Sequence, residues 1–239
     1  MSRRVASLTL DNLDDLPSRC RRCVAWELDP VARERAEESG DPGLEKEAWV
    51  SSVLLDWGSC GKIVYVDAVP AGYVLYAPPV YVPRAVAFPT SPVSADAVLL
   101  MTASVRPEFA GGGLGRMLVQ SVAKDLSRRG IKAIEAFGDA RPTDGEEPDP
   151  AAVVVDSRPG GRLGGRLGGP TSSDHVAHRR CLVPADYLLA VGFKTVRPHP
   201  RYPRLRLELK NALSWREDVE VALERLLGSM NPDPVLRPV

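Results

Sequence analysis

The sequence predicts an α/β fold: a mixed central sheet flanked by helices, with an N-terminal helical cap and a C-terminal helix. Three observations carry this. A β-branched run, Ala95 to Val105, feeds through a glycine cluster into an amphipathic helix and out again into a second strand. That succession is a βαβ unit, whose outer strands run parallel. Upstream, Lys62-Ile-Val-Tyr-Val-Asp and Gly72-Tyr-Val-Leu-Tyr-Ala are separated by a few residues including Asp67, Pro70 and Gly72, and read as a hairpin. Helix-starting chemistry recurs towards both ends of the chain.

Along the chain, Val5 to Leu10 alternates as a first strand, and Asp11-Asn12 supplies capping chemistry for a short helical segment. Pro30 opens a helix running through Ala32 to Glu38. Pro42 opens another whose apolar positions Leu44, Trp49, Val50, Val53 and Leu54 leave charges on the opposite side, ending near Gly58 to Gly61. Pro78 to Pro92 must be loop, because proline neither donates to a ladder nor continues a helix interior. Leu114 to Arg129 carries Leu114, Leu118, Val122 and Leu126 at helical spacing, with Gly130 placed for the C-terminal cap. Ile131 to Phe137 is the next strand.

Residues 139 to 180 hold seven of the 20 glycines and the near-repeat Gly161-Arg-Leu-Gly-Gly-Arg-Leu-Gly, so this stretch has little to bury and reads as a long insertion. A short helix from Pro184 to Ala190 and strands near Phe193 to Val196 and Arg204 to Leu209 complete the α/β part. In the last helix Ser214 and Glu217 form a capping box, and Trp215, Val219, Leu223, Leu226 and Leu227 give an apolar face. The expected organisation is residues 1–60 as the N-terminal strand and helical segment of one domain, 61–210 as its core, and 211–239 as a C-terminal helix and tail.

Composition narrows the function classes. Of 239 residues, 44% are hydrophobic and 26% charged, and Lys+Arg equals Asp+Glu at 31 each. No field of one sign recruits nucleic acid or an anionic membrane, and neither is expected as a partner. No apolar run approaches the ~18 residues that span a bilayer, and the start of the chain lacks a signal-peptide core, so a cytoplasmic location is expected. Four cysteines in a chain this long fit a reducing compartment.

The stretch that carries chemistry is Val105-Arg-Pro-Glu-Phe-Ala-Gly-Gly-Gly-Leu-Gly-Arg-Met-Leu. Backbone N–H groups at a helix start are unpaired and lie at the positive end of the dipole, so glycines that admit a ligand closely make an anion cradle suited to a pyrophosphate. Arg116 adds a positive side chain. The spacing is not the Gly-x-Gly-x-x-Gly of a Rossmann dinucleotide site, and no Lys-Ser or Lys-Thr completes a P-loop.

Ala110-Gly-Gly-Gly113-Leu-Gly115 resembles the signature of the GNAT (GCN5-related) N-acetyltransferase superfamily: Arg or Gln, two residues, Gly, one residue, then Gly or Ala. Ala110 stands where the family has Arg or Gln; both signature glycines are kept. Gly192-Phe193 resembles the family's helix-end Gly-Phe, and the likeness extends from about Gly61 to Leu209.

The resemblance implies a GNAT fold and acetyl-CoA as co-substrate, cradled by Ala110, Gly111, Gly112, Gly113, Leu114, Gly115 and Arg116. It also implies a central strand bulged near Ala103, Ser104 and Val105, beside a splayed neighbour that admits pantetheine. The implied reaction is direct attack by a primary amine, of a small molecule or a protein, on the thioester, with backbone N–H groups stabilising the oxyanion.

The family's proton-donating tyrosine position is Leu188 here, with Tyr187 adjacent, and its asparagine position is Cys181. Cys181 and Glu135 are the catalytic candidates, the first as a thiol near the thioester, the second as a base on a strand bordering the acceptor cleft. Glu135 reads equally as a solvated edge carboxylate.

Cys20-x-x-Cys23 has half the spacing of a zinc site, with His175, His178 and Cys181 available for the other half, but no second Cys-x-x-Cys exists and zinc is not expected. The alternative packs Cys20 and Cys23 beside Trp26 in the N-terminal cap, closing the substrate side. Tyr81 and Arg84 of the proline-rich loop are candidates for an acceptor wall. A homodimer is left open. The competing functional reading is a non-catalytic acyl-CoA-binding or interaction module on the same fold.

Overall fold

Turn and cap chemistry set most element ends in the computed structural model, which describes residues 1–141 and 181–209. β1 (Arg3–Ser7) is followed by a 3-10 turn over Leu13–Asp15 and the short helix α1 (Ser18–Arg21). α2 (Pro30–Ser39) starts on Asp29, whose carboxylate accepts from the Val31 and Ala32 N–H groups, with Pro30 in the first turn. α3 (Pro42–Asp56) repeats the device with Asp41 accepting from Leu44, and Gly40 makes the left-handed turn between the two helices. The hairpin strands β2 (Gly61–Val66) and β3 (Val69–Ala77) are joined by Asp67 and Ala68, both at positive φ. Positive φ at both central residues is what a two-residue hairpin turn with matching twist needs.

β4 (Ala97–Val105), α4 (Leu114–Arg128) and β5 (Ala133–Asp139) form the expected βαβ unit, with Gly130 left-handed just past the helix. β6 (Val183–Pro184), α5 (Ala185–Ala190), β7 (Lys194–Arg197) and β8 (Arg204–Glu208) follow. The eight strands form one sheet in the order β1-β2-β3-β4-β5-β8-β7, with β6 set against β5 off that path. β4/β5 and β5/β6 are parallel and the other pairs antiparallel, so the sheet is mixed. The insertion beyond residue 141 and the C-terminal helix read from Ser214 onward lie outside the described residues.

Two cores sandwich the sheet. On one face Leu118, Val122 and Leu126 of α4 and Leu188 of α5 meet Val74, Leu100, Ile134 and Leu205. Each such buried side chain contributes roughly 1.5–3 kcal/mol. On the other face Trp49, Val50 and Val53 of α3, with Trp26, cover Ile63, Leu75, Leu99, Met101 and Phe137. α3 departs from its sequence reading at two positions. Leu44 is 60% exposed, while Lys46, one of the charges, is buried and ion-paired to the buried Glu27.

Candidate functional site

The β3/β4 register slips by one residue. Leu75 pairs with Thr102 and Tyr76 with Leu100, leaving Met101 extra on β4. The extra residue inverts the alternation of side chains along the strand. Ala97, Leu99 and Met101 therefore face α3, whereas Val98, Leu100, Ala103 and Val105 all join the α4 core. The bulge thus lies at Met101 and not over Ala103 to Val105, which pair in register with Val74, Tyr73 and Gly72.

Among the described residues, those positions still have backbone groups without strand partners on their far edge. Arg106 donates to the Ala71 carbonyl at 2.8 Å, so alternation along an antiparallel ladder turns the N–H groups of Ala103 and Val105 away from β3. On that side β5 pairs with β4 only over Ala97–Leu99, and the two strands then part. β6 instead joins β5 at Gly138 and Asp139.

Beyond Val105 the chain makes a 3-10 turn over Pro107–Phe109, and Ala110 is extended. Gly111 (φ 74°) and Gly113 (φ 75°) then take left-handed conformations that favour glycine, and a Cβ on either would meet open space. α4 begins with no side chain capping it. Among the described residues no backbone acceptor takes the N–H groups of Gly111 to Arg116. Unpaired N–H groups at the positive end of a four-turn helix form an anion-binding concavity.

The flanking side chains fix this turn. Arg3 donates to the Gly112 carbonyl at 2.9 Å. Arg116 turns back to donate to the Ala190 carbonyl at 3.2 Å, so its guanidinium braces α4 to α5. Leu114 is buried, leaving its backbone as its contribution to the cradle. Tyr187, which the motif spacing passes over in favour of position 188, reaches the start of α4: its hydroxyl lies 2.6 Å from where a Cβ on Gly115 would stand. Burial pushes its phenol up to about 12, the nearby Arg116 opposing. Leu188 is fully buried in the core.

Glu135 is not on an edge. β5 runs between β4 and β8, and the Glu135 side chain is fully enclosed. It accepts from the Ser94 hydroxyl (2.6 Å) and N–H (3.1 Å), and pairs with Arg204 and Arg206, each at 3.2 Å. Burial alone would raise its carboxyl, but the Ser94 hydrogen bonds, then Arg206 and Arg204, outweigh that and hold it below the usual glutamate range. A carboxylate so saturated is a poor base, and it ties β5 to β8 instead.

Cys181 Sγ lies 3.3 Å from Cys23 Sγ, and Tyr73 donates to Cys20 Sγ at 2.7 Å. The hydrogen bond with Cys181 lowers Cys23 below the usual thiol range. The same bond, with burial, holds Cys181 well above the usual thiol range. The two thiols therefore share one hydrogen bond, and their contact favours ionisation of Cys23 over the candidate nucleophile Cys181. Among the described residues no group of three metal-ligating side chains is suitably placed, and His175 and His178 lie outside them.

On the α3 side of the sheet a cleft opens between Trp26, Phe88, Tyr202, Arg84, Arg201 and Cys181. In its wall Trp26 stacks on Phe88 at 5.3 Å and Tyr202 sits edge-on to Phe88 at 5.6 Å, while the buried Phe137, not itself lining the cleft, stacks on Phe88 at 4.3 Å. Of the two loop residues singled out by sequence, Arg84 lines this cleft. Tyr81 instead offers its carbonyl to Trp49 Nε1 at 2.7 Å.

No family profile and no curated protein matches the sequence. Solved structures do. The PaiA N-acetyltransferase of Thermoplasma acidophilum, in complex with coenzyme A, is 12% identical with a TM-score of 0.48, covering 87% of this chain and 99% of its own. YncA of Salmonella typhimurium, with its cofactor acetyl-CoA, is 13% identical at 0.47, covering 87% and 95%. An acetyltransferase of the GNAT family from Desulfovibrio desulfuricans is 17% identical at 0.41, covering 87% and 98%. The glycine turn of residues 110–115 follows β4, whose pairing with β5 stops at Leu99.

Proposed function

We propose that this chain is a GNAT-type acetyltransferase that moves an acetyl group from acetyl-CoA to a primary amine by direct attack. The observation that carries the reading is the uncapped α4 N-terminus behind two left-handed glycines, next to a strand edge whose N–H groups at Ala103 and Val105 have no β5 partner. The turn fits a pyrophosphate through its N–H groups, and the strand edge fits an extended pantetheine arm running between β4 and β5.

In this reading the cleft beside Phe88 brings the neutral amine to the thioester from the α3 face. The amine nitrogen bonds to the carbonyl carbon, and the oxygen takes up negative charge facing the N–H of Ala103 or Val105. The C–S bond then breaks and the thiolate leaves. Tyr187, kept protonated by burial, supplies a phenolic donor at the edge of the cradle. With Glu135 held by Ser94, Arg204 and Arg206, the ammonium proton leaves through water.

The test is release of free CoA thiol from acetyl-CoA over a panel of primary amines. Amine-dependent release supports the reading. Saturable acetyl-CoA binding with no release from any amine would instead identify an acyl-CoA-binding module.

A further inference from the structure

The cleft on the α3 face carries a chemical signature of its own. Its walls are aromatic, and the charged side chains lining it are two guanidinium groups, Arg84 and Arg201, with no Asp or Glu among its lining residues. Elsewhere among the described residues arginines facing the interior find carboxylates, as Arg204 and Arg206 do at Glu135. Among the described residues Arg84 has none: it is half-buried, and burial, then the neighbouring Arg33, disfavour its charge, Tyr202 opposing. Arg201 lies over the Tyr202 ring with its guanidinium carbon 5.0 Å from the centroid, and its buried Nε has no hydrogen-bond partner among the described residues.

A half-buried guanidinium facing no carboxylate is costly unless an anion joins it, a planar guanidinium is built to grip a carboxylate, and Arg84 and Arg201 both line this cleft. Trp26 and Phe88, stacked on each other beside them, present an apolar surface for a ring.

We propose that this cleft binds an amino carboxylate with an aromatic side chain, its carboxylate between Arg84 and Arg201 and its ring along Phe88 and Trp26. Resting on the acetyl-transfer reading, this makes the acceptor an aromatic amino acid rather than a simple amine or a protein lysine, neither of which presents a free carboxylate beside its amino group. Cys181 and Leu182 close the remaining side of the cleft.

Binding is measured on the full-length protein by calorimetry, with phenylalanine and phenethylamine as probes; the two differ by the carboxylate alone. Phenylalanine is expected to bind at least tenfold more tightly, and Arg84→Gln is expected to erase most of that difference while leaving the melting temperature nearly unchanged. Because Arg201 is partly enclosed, Arg201→Lys is the second variant, retaining charge but losing the planar grip. Equal affinity for the two probes, absence of phenylalanine binding, or an undiminished preference in Arg84→Gln and Arg201→Lys would each overturn the assignment. The measurement needs no acetyl-CoA. Phenylalanine binding by a protein that fails to bind acetyl-CoA would sink the transferase reading and leave the carboxylate site standing.

Discussion

The hydroxyl of Tyr187 and the α-carbon of Gly115 fit against each other so closely that a Cβ on Gly115 would lie 2.6 Å from the hydroxyl oxygen and 3.1–3.2 Å from the ring edge. Glycine at 115 therefore has a packing reason, separate from the conformational reason at Gly111 and Gly113. Gly115→Ala gains roughly 0.8–1 kcal/mol of helix propensity but must push the ring aside, which costs about 1–3 kcal/mol. The expected net is a loss of about 1 kcal/mol in the native background and a gain of up to about 1 kcal/mol when Tyr187 is alanine. Urea unfolding of the four proteins of this cycle measures the change of sign. Equal effects in both backgrounds would show that the two residues do not press on each other.

Glu135→Gln separates a structural carboxylate from a catalytic one. Glutamine can keep the Ser94 contact but leaves Arg204 and Arg206 facing a neutral group, for an expected loss of about 2–3 kcal/mol, below the full range for a broken buried pair because Arg206 keeps Asp96 and Glu208. The folded-state pKa of Glu135 is depressed, so its contribution is present above the unfolded-state value and is lost as pH falls through the folded one. Native stability should consequently fall with acidification more steeply than that of the variant. Turnover of the folded variant should stay within about threefold, with an unchanged alkaline profile. A loss of a hundredfold or more in kcat with stability intact would restore Glu135 as the base.

Oxidation should join Cys23 and Cys181. Their sulfurs are 3.3 Å apart in the reduced protein, and Cys23 is the readily ionised partner. Treatment with an excess of a small-molecule disulfide would let the Cys23 thiolate form a mixed disulfide, which Cys181 resolves. Both thiol hydrogens leave as protons, and the reagent carries off the electron pair. Closing a loop this long stabilises by roughly 3–5 kcal/mol on loop-closure entropy. Peptide mapping should recover the 23–181 crosslink and thermal unfolding should shift upward. A crosslink between Cys20 and Cys23 instead would contradict the geometry, since Cys20 is engaged by Tyr73.

Local patterns were legible in the sequence because each rests on neighbours in the chain. The helical spacing of Leu114, Leu118, Val122 and Leu126, the Asp67 turn and the proline starts of α2 and α3 all matched the structure to within a few residues. The glycine turn before α4 was legible for the same reason, its glycines and the uncapped helix start being contiguous. What escaped depends on strand order and on partners far away in sequence. Glu135 reads as an edge carboxylate until β8 is known to lie beside β5. Lys46 reads as a solvent charge until Glu27 is placed beneath it. The Cys23–Cys181 pair spans 158 positions. Phe88, in a stretch that composition marks only as proline-rich loop, becomes the middle ring of the aromatic stack.

The most direct measurement is calorimetric titration of acetyl-CoA into the native protein and into Gly112→Glu. Gly112 lies in the middle of the turn at negative φ with room for a Cβ, 3.5 Å from the Phe109 carbonyl oxygen, so the variant should fold while placing a carboxylate among the N–H groups. One-to-one binding to the native protein is expected, with a loss of about a hundredfold, or roughly 2.7 kcal/mol, in the variant. Absence of native binding, or equal affinity in a folded Gly112→Glu, would contradict the claim that the glycine turn holds the pyrophosphate of acetyl-CoA.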